Sequence, residues 1–486
     1  MAPQSTAVRV DRYGPQTTGG GRMGYVEAPV EARGGHGQVC GLWPFGIGTG
    51  APLVGVPMGK HLRTSSTVCF DPISWYRAGY LSNPNVFVAA QPGLGKSSAI
   101  RRQVLGMTAQ GITPLILGDL KPDYADLIRA LGGQVIRIGP GLDRINPLDA
   151  GPWRQALAHL DHTAATTVRA SVISRRRHMV EALATLVRRR PLDDGEVAVL
   201  TAAIRVLSAE ETDVQPTLAD VVKIIETGPD EVRQVTLDRG DEREYRKATD
   251  PLMRTLLAVL DGSLGATFDG QTTRPIDLNT TAVCVDISGI DAADEQLVAA
   301  ALMSAWAYGF AQVEASHLLA DLGLGPRREY FAVMDELWRA LRAGEGLVDR
   351  LDGLTRLSRQ QGTGLAYITH SMDDLEAMAS PSDKAKARGL AERCAAKLLG
   401  GLSRDQLGKF GQVVELSAAE IGEVVSWGQR EGWSAGGGSN KSRAGVGNFL
   451  LKIGSRPGIP VHLTLTDREL EIGNTDKRFG IGLAVD

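Results

Sequence analysis

The chain has 486 residues, a formal net charge of -3, and 43% apolar and 22% charged residues. That length allows about two or three domains, and the composition is that of an ordinary folded globular chain rather than a disordered or fibrous one. Without a basic excess, a global polyanion-binding field is excluded, and any nucleic-acid contact has to come from a local patch. Cys40, Cys69, Cys284 and Cys394 are far apart and form no CxxC pair. Neither a zinc site nor a disulfide framework is indicated, which fits a reducing, cytoplasmic setting. The opening MAPQSTAVRVDRYGPQTTGGGR lacks the apolar stretch of a signal peptide. No apolar run approaches the roughly 20 residues of a membrane span, so a role at a membrane needs a partner.

In chain order, residues 1–38 are rich in Gly, Pro and polar residues and are expected to be a disordered lead-in. GLWPFGIGTGAPLVGVPMGKHLRTSSTVCFDP reads as short strands and turns. Asn85-Val86-Phe87-Val88-Ala89 is then a buried strand, followed by a glycine loop and a helix ending at Gly111. ITPLILGDL is a second strand, DYADLIRALG a helix and GGQVIRIG a third strand. Strands alternating with helices predict an α/β fold with a mostly parallel sheet covered on both faces. From residue 151 to 264 the apolar spacing is helical, which predicts an inserted all-α subdomain between two parts of the sheet domain, 39–150 and 265–486. TAVCVDIS, EYFAVMDE and TGLAYITHS resume the strands, and a long helix covers DEQLVAAALMSAWAYGFAQVEA. NFLLKIGSRPGIPVHLTLT predicts a hairpin turning at Ser455-Arg456-Pro457-Gly458.

Ala90-Gln91-Pro92-Gly93-Leu94-Gly95-Lys96-Ser97 has the pattern of a phosphate loop, with Ala90 where the first Gly stands, between a strand and a helix. Gly93 and Gly95 let backbone N–H groups turn toward phosphate oxygens. The following helix start, with Lys96, Ser97 and Ser98, aims its dipole at the same anion. Lys96 is expected to neutralise the β- and γ-phosphates of ATP and Ser97 to ligate Mg²⁺. GGGSNKS from Gly436 and GIGTG from Gly46 lack this context and receive no site.

Asp335 and Glu336 end an apolar strand, and ligands in open α/β sheets lie beyond the carboxyl ends of strands. If that strand neighbours the phosphate-loop strand, Asp335 holds Mg²⁺ and Glu336 activates water. Thr369 and His370 end the next strand and are placed to sense the γ-phosphate from between the two. Asp119 and Lys121 reach the same edge. Arg356, Arg359 and Arg393 are the arginine-finger candidates for a neighbouring subunit. Arg175–Arg177 and Arg188–Arg190 could touch a phosphate backbone, although a solvated helix face is the expected reading.

These residues together resemble the TraC-like, VirB-four-type conjugation ATPases of type IV secretion, within the HerA–FtsK superfamily. The resemblance runs from Gly41 onward through GVPMGKHL, VCFDP, LGDLKPDY, GSLGATFDG, MDELW, RQQGTG, ITHSMDDL and AERCAAKLLGGL, and is nearest to actinobacterial versions. It implies a RecA/FtsK-like P-loop NTPase, a homo-hexameric Mg-ATP motor docked on other type IV secretion components at the inner face of the membrane. It favours Arg393 as the finger. This sequence departs in carrying His370 where the superfamily often has Gln, and in having little ahead of the motor where members have a sizeable domain. The competing readings are a DNA-translocating coupling-protein or HerA/FtsK-type ATPase acting on DNA or a DNA–protein complex, and a nucleotide-binding scaffold without turnover.

Overall fold

The computed structural model describes residues 10–11, 14–15, 51–209, 214–343, 347–348, 362–378, 380–429 and 445–473. Two units are compact on their own, Met1–Gly50 and Ala51–Asp486. In the first, β1 (Val10–Asp11) pairs antiparallel with β2 (Gly14–Pro15). The rest of the expected 1–38 lead-in, and GIGTG, lie outside the described residues.

The second unit is built on one sheet. Its strands are β3 (Pro57–His61), β4 (Thr67–Cys69), β5 (Asn85–Ala89), β6 (Thr113–Asp119), β7 (Gln134–Arg137) and β8 (Val283–Asp286). They continue with β9 (Tyr330–Met334), β10 (Thr363–Thr369), β11 (Ala396–Leu399), β12 (Asn448–Ile453) and β13 (Ile459–Leu463). The spatial order is β4-β3-β13-β12-β11-β5-β10-β9-β6-β8-β7. From β11 to β7 every pairing is parallel. From β11 to β4 every pairing is antiparallel. The central parallel strands β5, β10, β9, β6 and β8 are mostly apolar because both faces are covered. Val86 and Val88 face one core, with Ile100, Val104 and Met107 of the helix Lys96–Ala109. Phe87 and Ala89 face the other, with Leu115, Leu117 and Trp306.

The second face is covered by the helix Glu295–Asp321, which is apolar nearly all round and therefore buried on all sides. Gly309 lets it approach β6, since a Cβ there would stand 2.6 Å from Leu117. Trp306 Nε1–H donates to the Leu117 carbonyl at 2.7 Å. Between β7 and β8 the chain forms helices at Arg154–Leu157, His162–Arg188, Asp194–Ala209, Leu218–Thr227, Asp230–Thr236, Glu242–Asp261 and Gly265–Phe268. Trp153 and Val172 form a small apolar cluster with Ala150, but most of the apolar side chains of these helices join the core of the sheet. Val180, Leu183 and Leu200 share one apolar cluster with Leu115, Leu117 and Leu297.

Three details differ from expectation. β10 lies between β5 and β9, so the strand ending in Asp335 and Glu336 is not the neighbour of the phosphate-loop strand. The hairpin turns two residues early: Arg456 N–H donates to the Ile453 carbonyl at 3.1 Å, and Gly454 takes φ +50°. β11 was not anticipated as a strand. A lysine, Lys397, interrupts its apolar run, buried with its ammonium on the Cys394 and Glu392 carbonyls at 2.5 and 3.2 Å.

Candidate functional site

Parallel pairing aligns the carboxyl ends of β5, β10, β9 and β6, and a cavity of about 790 Å³ opens there. The loop after β5 forms its floor. Gly93 and Gly95 sit at φ +78° and +96°, the left-handed region, and Gly95 caps the helix that starts at Lys96. Pro92, Gly93, Gly95, Lys96, Ser97 and Ser98 line the cavity. Gln91 and Leu94 hold the loop from behind, Gln91 N–H on the Gly401 carbonyl at 3.2 Å and Leu94 carbonyl accepting from Gly447 N–H at 3.1 Å. Ala90 is fully buried, and Gly400 faces it: a Cβ on Gly400 would stand 2.5 Å from the Ala90 methyl. Ala90 thus fills the first glycine position because its neighbour is a glycine.

Lys96 is 8% exposed. Its ammonium donates to the Ala90 and Gln91 carbonyls at 2.5 and 3.3 Å and stands 2.8 Å from His370 Nδ1. An ammonium can only donate, so Nδ1 accepts and the ring proton lies on Nε2. Nε2 faces Glu336 Oε1 at 3.4 Å. Lys121 Nζ reaches the same oxygen at 3.2 Å. Three residues from three strand ends are therefore linked through one imidazole. Burial pulls the Lys96 ammonium down to about 8, although Asp335 and Glu336 work against it. Burial pushes the Glu336 carboxyl up, but His370 and Lys121 outweigh it and hold it at about 2.

Asp335 and Glu336 follow β9. Glu336 adopts φ +51°, ψ 32° and caps the helix Leu337–Arg342. This is uncommon for a non-glycine residue and carries local strain. Asp335 is held by Tyr124 O–H at 3.1 Å and by Glu336 N–H at 2.8 Å. Burial and the Glu336 charge raise its carboxyl to about 6. Ser97 Oγ–H donates to Asp123 Oδ2 at 2.8 Å.

Ser97, Asp123 and Asp335 present hard oxygen atoms, the donor type that Mg²⁺ takes. Among the described residues no group of three or more His, Cys, Asp or Glu could hold a metal ion. Mg²⁺ in nucleotide sites is held by one or two protein oxygens and completed by phosphate and water.

Some sequence candidates have other partners. Asp119 lines the cavity, yet its carboxylate accepts the Asp123, Tyr124 and Ala125 N–H groups at 3.1, 2.9 and 3.2 Å. It shapes the loop that carries Lys121 and Asp123. Thr369 donates to Asp374 at 2.9 Å and so fixes the turn after β10. Arg393 lies at the other edge of the sheet: β11 begins three residues later, and the Arg393 carbonyl accepts from Asn83 at 2.8 Å. Arg356 and Arg359 lie outside the described residues, as does GGGSNKS. The arginine triplets are only partly a solvated face: Arg189 and Arg190 are exposed, as expected, but the other four have protein partners. Arg175 pairs with Glu314, and Arg176 is 1% exposed on the Leu148 carbonyl, Ser208 and Gln215. Arg177 lies near Glu181, and Arg188 grips both Glu196 oxygens at 2.7 Å.

Sequence reasoning missed the C-terminal wall. Val446, Gly447, Leu463, Leu465 and Leu470 line the cavity. Arg101 ties Ser98, the Asp123 carbonyl and the Gly473 carbonyl together, and Arg102 pairs with Glu469 at 2.7 Å. The available signal was the position of these arginines, one helical turn beyond Ser97 and Ser98.

No protein-family model matches the chain, and no curated protein matches it. Among solved structures, VirB4 of Thermoanaerobacter pseudethanolicus superposes with a TM-score of 0.65 at 20% identity, covering 87% of this chain and 100% of that one. The bacterial conjugative coupling protein TrwB gives 0.49 at 14% identity, covering 87% and 97%. TrwB in complex with ADP and Mg²⁺ gives 0.47 at 14%, covering 79% and 86%. Among the described residues no helix is long and apolar enough to cross a membrane. The chain has the fold of the VirB4 P-loop ATPase, an open mixed sheet, parallel where the cavity lies and covered by helices on both faces.

Proposed function

We propose that the chain hydrolyses Mg-ATP and serves as the motor of a conjugative type IV secretion system. The observation that carries this reading is the meeting of Lys96, His370 and Glu336 on one cavity above a phosphate loop. Lys96 and the N–H groups of residues 93–98 take the phosphates. Ser97 and Asp335 hold Mg²⁺, which screens phosphate charge when bound. Glu336 takes the proton of the attacking water. His370, on the strand between, reads whether Lys96 is occupied by phosphate. The likeness to VirB4 supports the secretion context.

In this reading the chain works as a homo-hexamer. It is cytoplasmic and sits at the membrane through other secretion components. Arg393, remote from its own cavity, acts only if it enters a neighbour's. The alternative, DNA translocation, has less local basis, since Arg175, Arg176 and Arg188 are committed to internal partners and the exposed members of the two triplets are Arg189 and Arg190. The test is steady-state Mg-ATP turnover of the wild type with and without duplex and single-stranded DNA. At about 0.15 M salt, long-range attraction is screened beyond about 8 Å. Turnover that DNA does not change is expected. Strong stimulation by DNA would make translocation the leading function, and absence of turnover would overturn both readings.

A further inference from the structure

The two oxygens of Glu336 have different surroundings. Oε1 faces the cavity and meets Lys121 and His370. Oε2 accepts the indole N–H of Trp338 at 2.8 Å, its one hydrogen bond among the described residues, with Arg339 Nε farther off at 3.9 Å. Trp338 is half-buried on the helix that Glu336 caps, and its ring is flanked by the guanidinium groups of Arg339 and Arg342, 5.0 and 5.2 Å from the centroid. Cation–π contacts of this kind hold a ring in place. The last torsion of a glutamate is broad and sets no direction by itself. A carboxylate tied only through Oε1 would swing when its partners leave.

We infer that Trp338 is a positioning residue for Glu336: its N–H anchors Oε2 so that Oε1 alone exchanges Lys121 and His370 for the attacking water. This rests on the reading of Glu336 as the base. Oε1 then stays aimed at the cavity through the cycle, and the water proton transfers to that oxygen. Alignment of this sort lowers a barrier without adding a contact to substrate.

The experiment separates the donor from the ring. Trp338→Phe keeps the ring and removes the N–H. Trp338→Gln removes the ring and restores an N–H the same number of bonds from Cα. Both are assayed as full-length protein for Mg-ATP turnover and for binding of a fluorescent ATP analogue. Losing a hydrogen bond to a charged group is expected to lower kcat about 10- to 100-fold in Trp338→Phe. KM and analogue binding should stay unchanged, and Trp338→Gln should be the more active of the two. Wild-type turnover in Trp338→Phe, or Phe more active than Gln, overturns the assignment, because a packing role predicts that order. If Trp338→Phe does not fold, Trp338→Leu replaces it as the donorless partner, and equal rates for Leu and Gln overturn the proposal. Glu336→Gln distinguishes the two levels. Wild-type turnover in that variant removes the base itself, whereas an inactive Glu336→Gln beside a fully active Trp338→Phe removes Trp338 alone.

Discussion

Two buried lysine–glutamate clusters stand in the same sheet and are finished differently. On β12, Lys452 meets both oxygens of Glu420 at 2.8 and 3.1 Å, and Glu420 also accepts N–H groups of Ser417 and Gly458 at 2.7 and 2.6 Å. That pair is closed and has nothing left to offer. At the end of β5, the Lys96 ammonium rests on two carbonyls and an imidazole, and Asp335 and Glu336 act on it through space rather than by contact. Among the described residues it is a buried cation with no carboxylate in ion-pair contact, at the rim of a cavity. The first cluster holds a hairpin in place. The second is left open for a ligand that brings its own negative charge.

Breaking the closed pair gives the largest change in stability. Glu420→Gln strands a buried ammonium and should cost about 3 kcal/mol, read from the denaturant midpoint. Replacing both partners with Met and Leu should recover most of that loss. The pH dependence has a definite sign. Burial pushes the Glu420 carboxyl up, but Lys452 and the surrounding N–H groups outweigh it and hold it below its ordinary 4.5. Its contribution is complete above that value and is lost as pH falls through the folded-state pKa. Melting curves of the wild type should steepen in their decline below about pH 4.5, and Glu420→Gln should flatten that decline.

Lys96→Ala comes next and acts on binding rather than on folding. Removing a charge-assisted contact to phosphate should weaken ATP about 10- to 100-fold while thermal stability holds or rises, since a desolvated cation is gone. Titration with a fluorescent ATP analogue gives the affinity. Unchanged affinity would mean that Lys96 belongs with Lys452 as a structural lysine. The smallest change belongs to Lys121, whose side chain is 63% exposed. Lys121→Ala should change turnover by no more than about fivefold, the scale of a surface ion pair. A larger loss would show that Lys121 reaches the phosphates.

The parallel half of the sheet was legible because each strand is a short apolar run bounded by turn residues, and β5, β9 and β10 end in residues whose chemistry has no packing purpose. The antiparallel flank was less so. β3 pairs with β13, and their partners Gly59 and Leu463 stand near opposite ends of the chain. Local periodicity carries no record of such a pairing. β11 was hidden by Lys397, whose burial depends on carbonyls that only the fold supplies. In the site, Lys96, Ser97, Asp335, Glu336 and His370 were readable from residue type and strand position. Asp123, which lines the cavity, and Tyr124, whose hydroxyl holds Asp335, were not, because a turn held by Asp119 places them. Asp119, expected as a nucleotide contact, lines the cavity while its carboxylate also holds backbone N–H groups, a second role that a carboxylate at a strand end does not reveal in sequence.

The most direct measurement is the behaviour of Glu336→Gln with radiolabelled ATP. The substitution keeps the side chain's size and removes its capacity to take a proton. The account predicts that the variant retains ATP with wild-type affinity while turnover falls about 10² to 10⁴-fold. Hydrolysis at the wild-type rate would contradict it.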